Sequence, residues 1–317
     1  MDNLANGTKI AVRDCLGVKP GEQVLVITDE GTRAIGQSIW EQAKELGAEA
    51  ILVEMIPRKV HGEEPPAAIA EAMKQADVVL APTSKSLSHT QARREANKAG
   101  TRIATLPSIT EDIAIRTLNA DYGKIAKIST KLGEMLTAGK TARLTTLKGT
   151  DLTMGLAGRE GHPDTGIYTE PGSFGNLPAG EAYIAPMEGT SQGTVVIDGA
   201  IAGIGLLDEP VTLTVENGYA VRISGGNSAR QLEQMLAPFG KEGRNIAELG
   251  IGTNDQATLV GIILEDEKVA GTVHVAVGNN VSFGGNVNVG IHLDGIITQP
   301  TLEIDGKLVM ENGTLLI

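Results

Sequence analysis

Aromatic side chains make up only 3% of this 317-residue chain, with one Trp, four Tyr and three Phe. A core of that composition must be packed from Val, Ile, Leu and Ala, as in α/β and sheet-rich proteins. A broad protein-recognition surface, where Tyr and Trp concentrate, is disfavoured. The single cysteine, Cys15, excludes an intramolecular disulfide and suits a reducing compartment; in its helical pattern it reads as a small packed hydrophobe. No run of eighteen apolar residues is present, and MDNLANGTKIAVRDCLGVKPG lacks the basic-then-apolar pattern of a signal peptide. A cytoplasmic, soluble protein is expected. Positive charge is also scarce: the net charge of -12 disfavours nucleic acid and anionic membrane as partners, since both require clustered Lys and Arg. The scarcity is uneven. Residues 1–150 carry 20 Lys and Arg against 18 Asp and Glu, and residues 151–317 carry 7 against 21. Such an excess is either solvated surface or compensation for bound cations.

What is present predicts two domains. After an opening helical segment, GVKPGEQ turns into a strand at 23–28, QVLVIT, whose unbroken apolar run fits burial on both faces. The next segment places Ile35, Ile39, Ala43 and Leu46 on one helical stripe and ends at Gly47, suited to a C-cap. Strands at 50–55, 77–82 and 101–107 alternate with helices near 88–99 and 109–118. That alternation implies βαβ units, so residues 1–135 read as a doubly wound, mostly parallel α/β domain. Neither G-x-G-x-x-G nor a P-loop lysine follows the first strand, which makes this domain a scaffold and not a dinucleotide binder. From 136 to 317 the pattern becomes short strands with tight turns. Asn217-Gly218, Asp305-Gly306 and Asn312-Gly313 are hairpin signals. One helix interrupts them, with Asn227 as N-cap, Leu232, Met235 and Leu236 on one face, and Gly240 past its end. A β-rich α+β domain is expected, and it carries the residues suited to chemistry.

In GIHLDG, residues 290–295, His292 and Asp294 flank one leucine. Residues two apart in a strand share a face, roughly 7 Å apart, so imidazole and carboxylate look at the same spot. His274, in GTVHVAVG, is also mid-strand. Two histidines and one carboxylate are the minimum for an open divalent-metal site. Glu181 heads a strand in NLPAGEAYIAP, and Glu248 precedes Gly250 and Gly252, glycines that suit a site loop. Three carboxylates and two neutral imidazoles carry a charge of about -3, nearly that of two divalent cations with opposite sign. Glu265, Asp266 and Glu267 read as the exposed turn of a hairpin whose second strand holds His274. GNNVSFGGNVNV reads as a long connection between the two histidine strands.

Across nearly the whole chain, GVKPGEQVLV, SLSHTQARREANKAGTRIATLPSITEDI, NLPAGEAYIAP, AELGIGTN, DEKVAGTVHVAVG and HLDG, in that order, resemble the M29 metallo-aminopeptidases, the aminopeptidase T family. The resemblance implies a homodimer with an enclosed cavity and two cocatalytic divalent ions, Zn, Co or Mn, in the C-terminal domain. It puts Glu181 and Glu248 in the first two acidic positions and His274, His292 and Asp294 on the last three. Glu267 resembles the ligand Glu that precedes the first histidine, with two extra residues between. The family's tyrosine seven residues after that histidine is here Val281. The implied reaction is removal of the N-terminal residue from a short peptide, with Glu248 bridging the metals or accepting the proton of the attacking water. The alternative is a mononuclear Fe(II) enzyme. His274, His292 and Asp294 alone form the two-His-one-carboxylate set of non-haem oxygenases, and the ring-cleaving dihydroxypyridine dioxygenases are similar in sequence to this same family. Val281 favours that alternative, whereas retention of both Glu181 and Glu248 favours the peptidase. A third reading is an oligomeric binder that keeps a structural metal without turnover.

Overall fold

The computed structural model describes residues 3–317. These fall into two compact units, the described part of Met1–Lys124 with Gly166–Ala179, and Ile125–Thr165 with Gly180–Ile317. The chain therefore returns to the first unit after the single boundary expected near residue 135. Among the described residues, no helix is long and apolar enough to cross a membrane.

The first unit is α/β. Its sheet contains β1 (Gln23–Asp29), β2 (Glu49–Met55), β3 (Val78–Thr83), β4 (Arg102–Pro107) and β8 (Phe174–Asn176), all parallel, in the order β2-β1-β3-β4-β8. The central runs Val24–Ile27 and Val78–Ala81 are buried, as continuous apolar strands require. The chain steps one way from β1 to β2 and the other way to β3. With right-handed crossovers, this places helices on both faces. Helix α1 (Asn3–Ile10) precedes the sheet, α2 (Arg33–Glu45) buries Ile35, Ile39 and Ala43, and α3 (Ala67–Gln75), α4 (Gln91–Lys98) and α5 (Glu111–Thr117) follow. Open sheets of this order bind ligands at the point where the order reverses, beyond the ends of β1 and β3. Here the buried Asp29 carboxylate takes the polar groups of that spot, accepting from Ser84 N at 2.6 Å, Ser84 Oγ at 2.7 Å and Gly31 N at 3.2 Å.

The second unit is two antiparallel sheets face to face. One contains β5 (Thr141–Thr145), β6 (Asp151–Gly155), β10 (Gln192–Ile197), β13 (Val211–Glu216), β14 (Tyr219–Ser224), β18 (Thr301–Ile304), β19 (Lys307–Glu311) and β20 (Thr314–Leu315), ordered β14-β13-β10-β6-β5-β18-β19-β20. The other contains β7 (Gly161–Asp164), β9 (Glu181–Ile184), β11 (Ala200–Ile201), β12 (Gly205–Leu206), β15 (Ile246–Gly252), β16 (Thr272–Gly278) and β17 (His292–Thr298), ordered β12-β11-β17-β16-β15-β9-β7. Aliphatic side chains such as Leu144, Val195 and Leu213 from the first meet Leu249, Val275 and Ile297 from the second in one core. Helix α6 (Tyr122–Ala138), not among the helices expected from the sequence, buries Ile125, Leu132 and Leu136. Helix α7 (Asn227–Leu236) forms as expected, but Gly226 holds the cap position, with no side-chain cap hydrogen bond from Asn227.

All three expected hairpins form. The pairs Asn217-Gly218, Asp305-Gly306 and Asn312-Gly313 each have both residues at positive φ, the requirement of a type I′ turn that matches strand twist. Gly306 sits at φ +74 with nothing within 4 Å of where a Cβ would lie, so backbone strain alone governs substitution. Gly306→Ala is expected to cost about 1 kcal/mol, read as a lower urea midpoint with unchanged slope; an unchanged midpoint would contradict this turn geometry.

Candidate metal centre

Alternation along five neighbouring strands of the seven-stranded sheet puts the aliphatic residues in the core and the polar ones on the opposite face. Asp164 is opposite Glu181 in register, and the latter's strand also presents Tyr183; the next strands bring Glu248, His274, His292 and Asp294. Small residues stand opposite the large ones. Gly252 faces Glu181, Gly250 faces both Tyr183 and His274, Ala276 faces both Glu248 and Asp294, and Gly278 faces His292. A Cβ on Gly250 would lie 1.9 Å from His274 Nε2, so the imidazole lies where that side chain would be. Glu248 and the two glycines are therefore inside β15, not at the turn expected from sequence.

Residues far apart along the chain thus converge. His274 Nε2 lies 3.2 Å from Glu181 Oε2 and 3.3 Å from Glu248 Oε1, and His292 Nε2 lies 3.4 Å from Glu248 Oε2 and 3.2 Å from Asp294 Oδ1. Glu248 is shared by two sets of candidate donor atoms, one with Glu181 and His274, the other with His292 and Asp294, each within 4.8 Å. His274 is fully buried, while the His292 side chain keeps 29% exposure on the open side. The His292 Nδ1–H donates to the Asn279 carbonyl at 2.7 Å, which leaves Nε2 as the atom for a metal.

Burial pushes both imidazoles toward the neutral form, but the carboxylates outweigh it. Glu181 and Glu248 hold His274, and Asp294 and Glu248 hold His292, well above the usual histidine range. Burial would likewise raise Glu248, yet hydrogen bonds from His274 and His292 bring it to about 2. Positive charge is thus favoured where the two imidazoles stand. Among the described residues, Glu181 Oε2 is a buried oxygen with no hydrogen-bond donor in line. These buried acidic and histidine groups suit a metal ion in donor type, charge and spacing.

Glu267 behaves differently. Its Oε1 is 2.8 Å from Lys268 Nζ, outside both sets of donor atoms, and the same ammonium reaches Glu181 Oε1 at 2.6 Å and Asp164 Oδ2 at 3.2 Å. The acidic run is not an exposed turn. Glu265 and Asp266 are fully buried in the short helix α8 (Ile263–Asp266), where Glu265 accepts from Thr258 N and Asp266 from Val260 N and Gly261 N. Sequence reasoning missed Lys268 and Asp164. The available signal was EDEK itself, since a basic residue is rare in this acidic half.

Above the polar face runs a row of rings. His162 stacks on Tyr183 with centroids 5.4 Å apart, Tyr183 meets Phe283 edge-on at 5.6 Å, and Phe283 meets His292 edge-on at 5.7 Å. Phe283 is delivered by the segment between the histidine strands, which is clipped into shape. Asn280 Oδ1 accepts from Val287 N, and Glu188 accepts from Asn280 Nδ2 and from Asn286 N. Val281 begins the short turn Val281–Phe283 and is 43% exposed.

Comparison with known proteins decides between the chemistries this donor set permits. The profile of the NicX family, 2,5-dihydroxypyridine 5,6-dioxygenase, matches residues 8–317. The chain belongs to that family. A 2,5-dihydroxypyridine 5,6-dioxygenase of Pseudomonas putida is 25% identical over 257 residues, 76% of this chain and 71% of that one. The fold is that of the 2,5-dihydroxypyridine dioxygenase structure from Pseudomonas putida KT2440, with TM-score 0.84, 20% identity and coverage of 100% and 98%. It is also that of AmpT from Thermus thermophilus, with TM-score 0.72, 19% identity and 99% coverage of both chains. The NicX-family chain thus has an M29-like fold.

Family membership overturns the expectation of a peptide-cleaving hydrolase with a short peptide as substrate; the matched family is one of dioxygenases, which are oxidoreductases. The error has a physical source. The motifs behind the peptidase resemblance supply candidate metal donors and build a fold, and two histidines with a carboxylate serve hydrolysis and oxygen chemistry alike. Gly250→Ala is expected to weaken divalent-metal binding at least tenfold while leaving the far-ultraviolet circular dichroism unchanged, because the new methyl displaces the His274 ring; isothermal titration with Mn(II) reads it. Wild-type affinity in the variant would refute this packing.

Proposed function

We propose that the chain is an Fe(II)-dependent dioxygenase that opens the ring of a 2,5-dihydroxypyridine between C5 and C6. The family match over residues 8–317 carries this reading, and the donor set supports it. His292 and Asp294, which form one donor set with Glu248, would hold one iron ion together with His274, which belongs to the other set that Glu248 joins. A two-His-one-carboxylate set holds one ion, in place of the two Zn, Co or Mn ions of the aminopeptidase resemblance. Bound iron(II) supplies the one-electron chemistry that lets dioxygen react with a closed-shell ring.

The chain's own residues do the rest. Glu248, placed 3.3 Å from His274 Nε2 and 3.4 Å from His292 Nε2, is the proton acceptor for the substrate's C5 hydroxyl. Tyr183 and Phe283 supply edge and face contacts for a flat heteroaromatic ring, the geometry that aromatic pairs prefer. The Tyr183 hydroxyl stays protonated, since burial and then Glu181, Glu248 and Asp164 push it above the usual phenol range, so it remains a hydrogen-bond donor for a substrate oxygen. The reaction balances without another reductant. The C5–C6 bond breaks, each carbon gains one oxygen atom, C5 becomes a carboxyl group and C6 a formyl group on the ring nitrogen.

Metal-free protein loaded anaerobically with Fe(II) and given 2,5-dihydroxypyridine should consume one O2 per ring lost, with two labelled oxygens in the product when 18O2 is used. No oxygen uptake by iron-loaded protein would sink the proposal. His274→Ala, His292→Ala and Asp294→Ala are each expected to lose iron. Glu248→Gln should retain it and lower kcat by about 10²–10⁴.

A further inference from the structure

Among the described residues, Lys268 is the one cation buried in the carboxylate face whose charge owes nothing to a histidine proton, and the proposed mechanism leaves it without a task. Its side chain is 2% exposed, and Nζ reaches three carboxylate oxygens at 2.6, 2.8 and 3.2 Å, those of Glu181, Glu267 and Asp164. An ammonium has three N–H donors and no acceptor; the donation to Glu181 is a hydrogen bond, and the other two oxygens are ion-pair partners. The backbone that carries it is fixed on both sides. Lys268 N donates to the Glu265 carbonyl and Asn254 N to the Lys268 carbonyl. Gly252 lets this stretch lie against β15, where an added Cβ would stand 2.1 Å from the Val269 carbonyl oxygen and 2.9 Å from Lys268 C.

Without the ammonium, three carboxylates would converge in a buried place, the oxygen-donor type that hard divalent cations take. Glu181 joins this group to the metal centre. One of its oxygens faces Lys268, and the other, with no aligned donor, faces His274. We propose that Lys268 is a built-in counter-ion that keeps a second metal ion out of the Asp164, Glu181 and Glu267 group and so fixes the centre at one ion per chain. The proposal rests on the one-ion reading above. Lys268 is thus a positioning residue, acting through Glu181 and not on substrate.

The test is a count of metal ions on the full chain. Metal-free wild type, Lys268→Arg, Lys268→Met and the charge-matched pair Lys268→Met with Glu267→Gln are titrated with Zn(II) calorimetrically, and desalted samples are analysed by mass spectrometry of the elements. Wild type and Lys268→Arg should hold one ion. Lys268→Met should hold two, and the paired variant two with the second bound at least tenfold more weakly. Should Lys268→Met fail to fold, the paired variant, which buries one acidic group fewer, decides alone. One ion in wild type and one in the folded variants overturns the role of Lys268 and leaves the dioxygenase reading intact. Two ions in wild type overturn both this role and the one-ion reading. Oxygen uptake by iron-loaded wild type tests the dioxygenase activity separately from either count.

Discussion

Buried negative charge is the constraint that organises the second unit. Asp164, Glu181, Glu248, Glu267 and Asp294 stand close together on or beside one sheet face, and none of them is more than 18% exposed at the side chain. Carboxylates taken from water cost several kcal/mol each unless a partner is at hand. Lys268 lies beside three of them, and the imidazoles of His274 and His292 lie beside the others. Charge of this density without a function would be an expensive way to build a sheet. It is intelligible when a cation belongs there.

The sheet solves the geometric side of the same problem. Alternation sends Leu249, Val275 and Ile297 into the core and the intervening residues to the polar face, so core packing fixes the directions of the functional side chains. Register then sets a Gly or Ala on a neighbouring strand opposite Glu181, Tyr183, Glu248, His274, His292 and Asp294. The two requirements are linked, since a one-residue slip of β16 against β15 would turn His274 into the core and set Val275 over Gly250. A rigid site of this kind needs no loop to place its donors. The loop that does contribute, carrying Phe283, is stiffened by Asn280 and Glu188.

Local patterns in the sequence were sufficient for the parallel sheet and the hairpins. The apolar run at 23–28 and the Asn-Gly and Asp-Gly pairs each name their conformation through a few adjacent residues. The spacing of His292 and Asp294 was legible for the same reason. What was not legible depends on pairing between distant strands. Gly250 looked like a turn residue because its reason, the His274 ring across β15 and β16, is 24 positions away. Lys268 and Asp164 are over a hundred positions apart and meet only through the fold. Helix α6 carried a readable stripe in Ile125, Ile128, Leu132 and Leu136, but it lay where a change of domain was expected. Glu265 and Asp266 were misread because charge was equated with exposure, whereas each caps backbone N–H groups of residues 258–261.

The choice between hydrolysis and oxygenation was the hardest to read, and the structure explains why. AmpT and the Pseudomonas dioxygenase share this fold, so fold alone does not determine the reaction. Metal-holding side chains discriminate equally poorly, because imidazole and carboxylate accept many ions. Discrimination resides in what surrounds them. A hydrolytic pair of ions asks for free carboxylate oxygens on both sides of the centre, and here Lys268 already occupies the outer oxygen of Glu181. Turnover of a flat ring asks for aromatic walls, and Tyr183 and Phe283 stand beside His292 in a chain that has few rings to spend. Residues such as these touch the donor set without belonging to it, and in this chain they favour one ion and a flat ring.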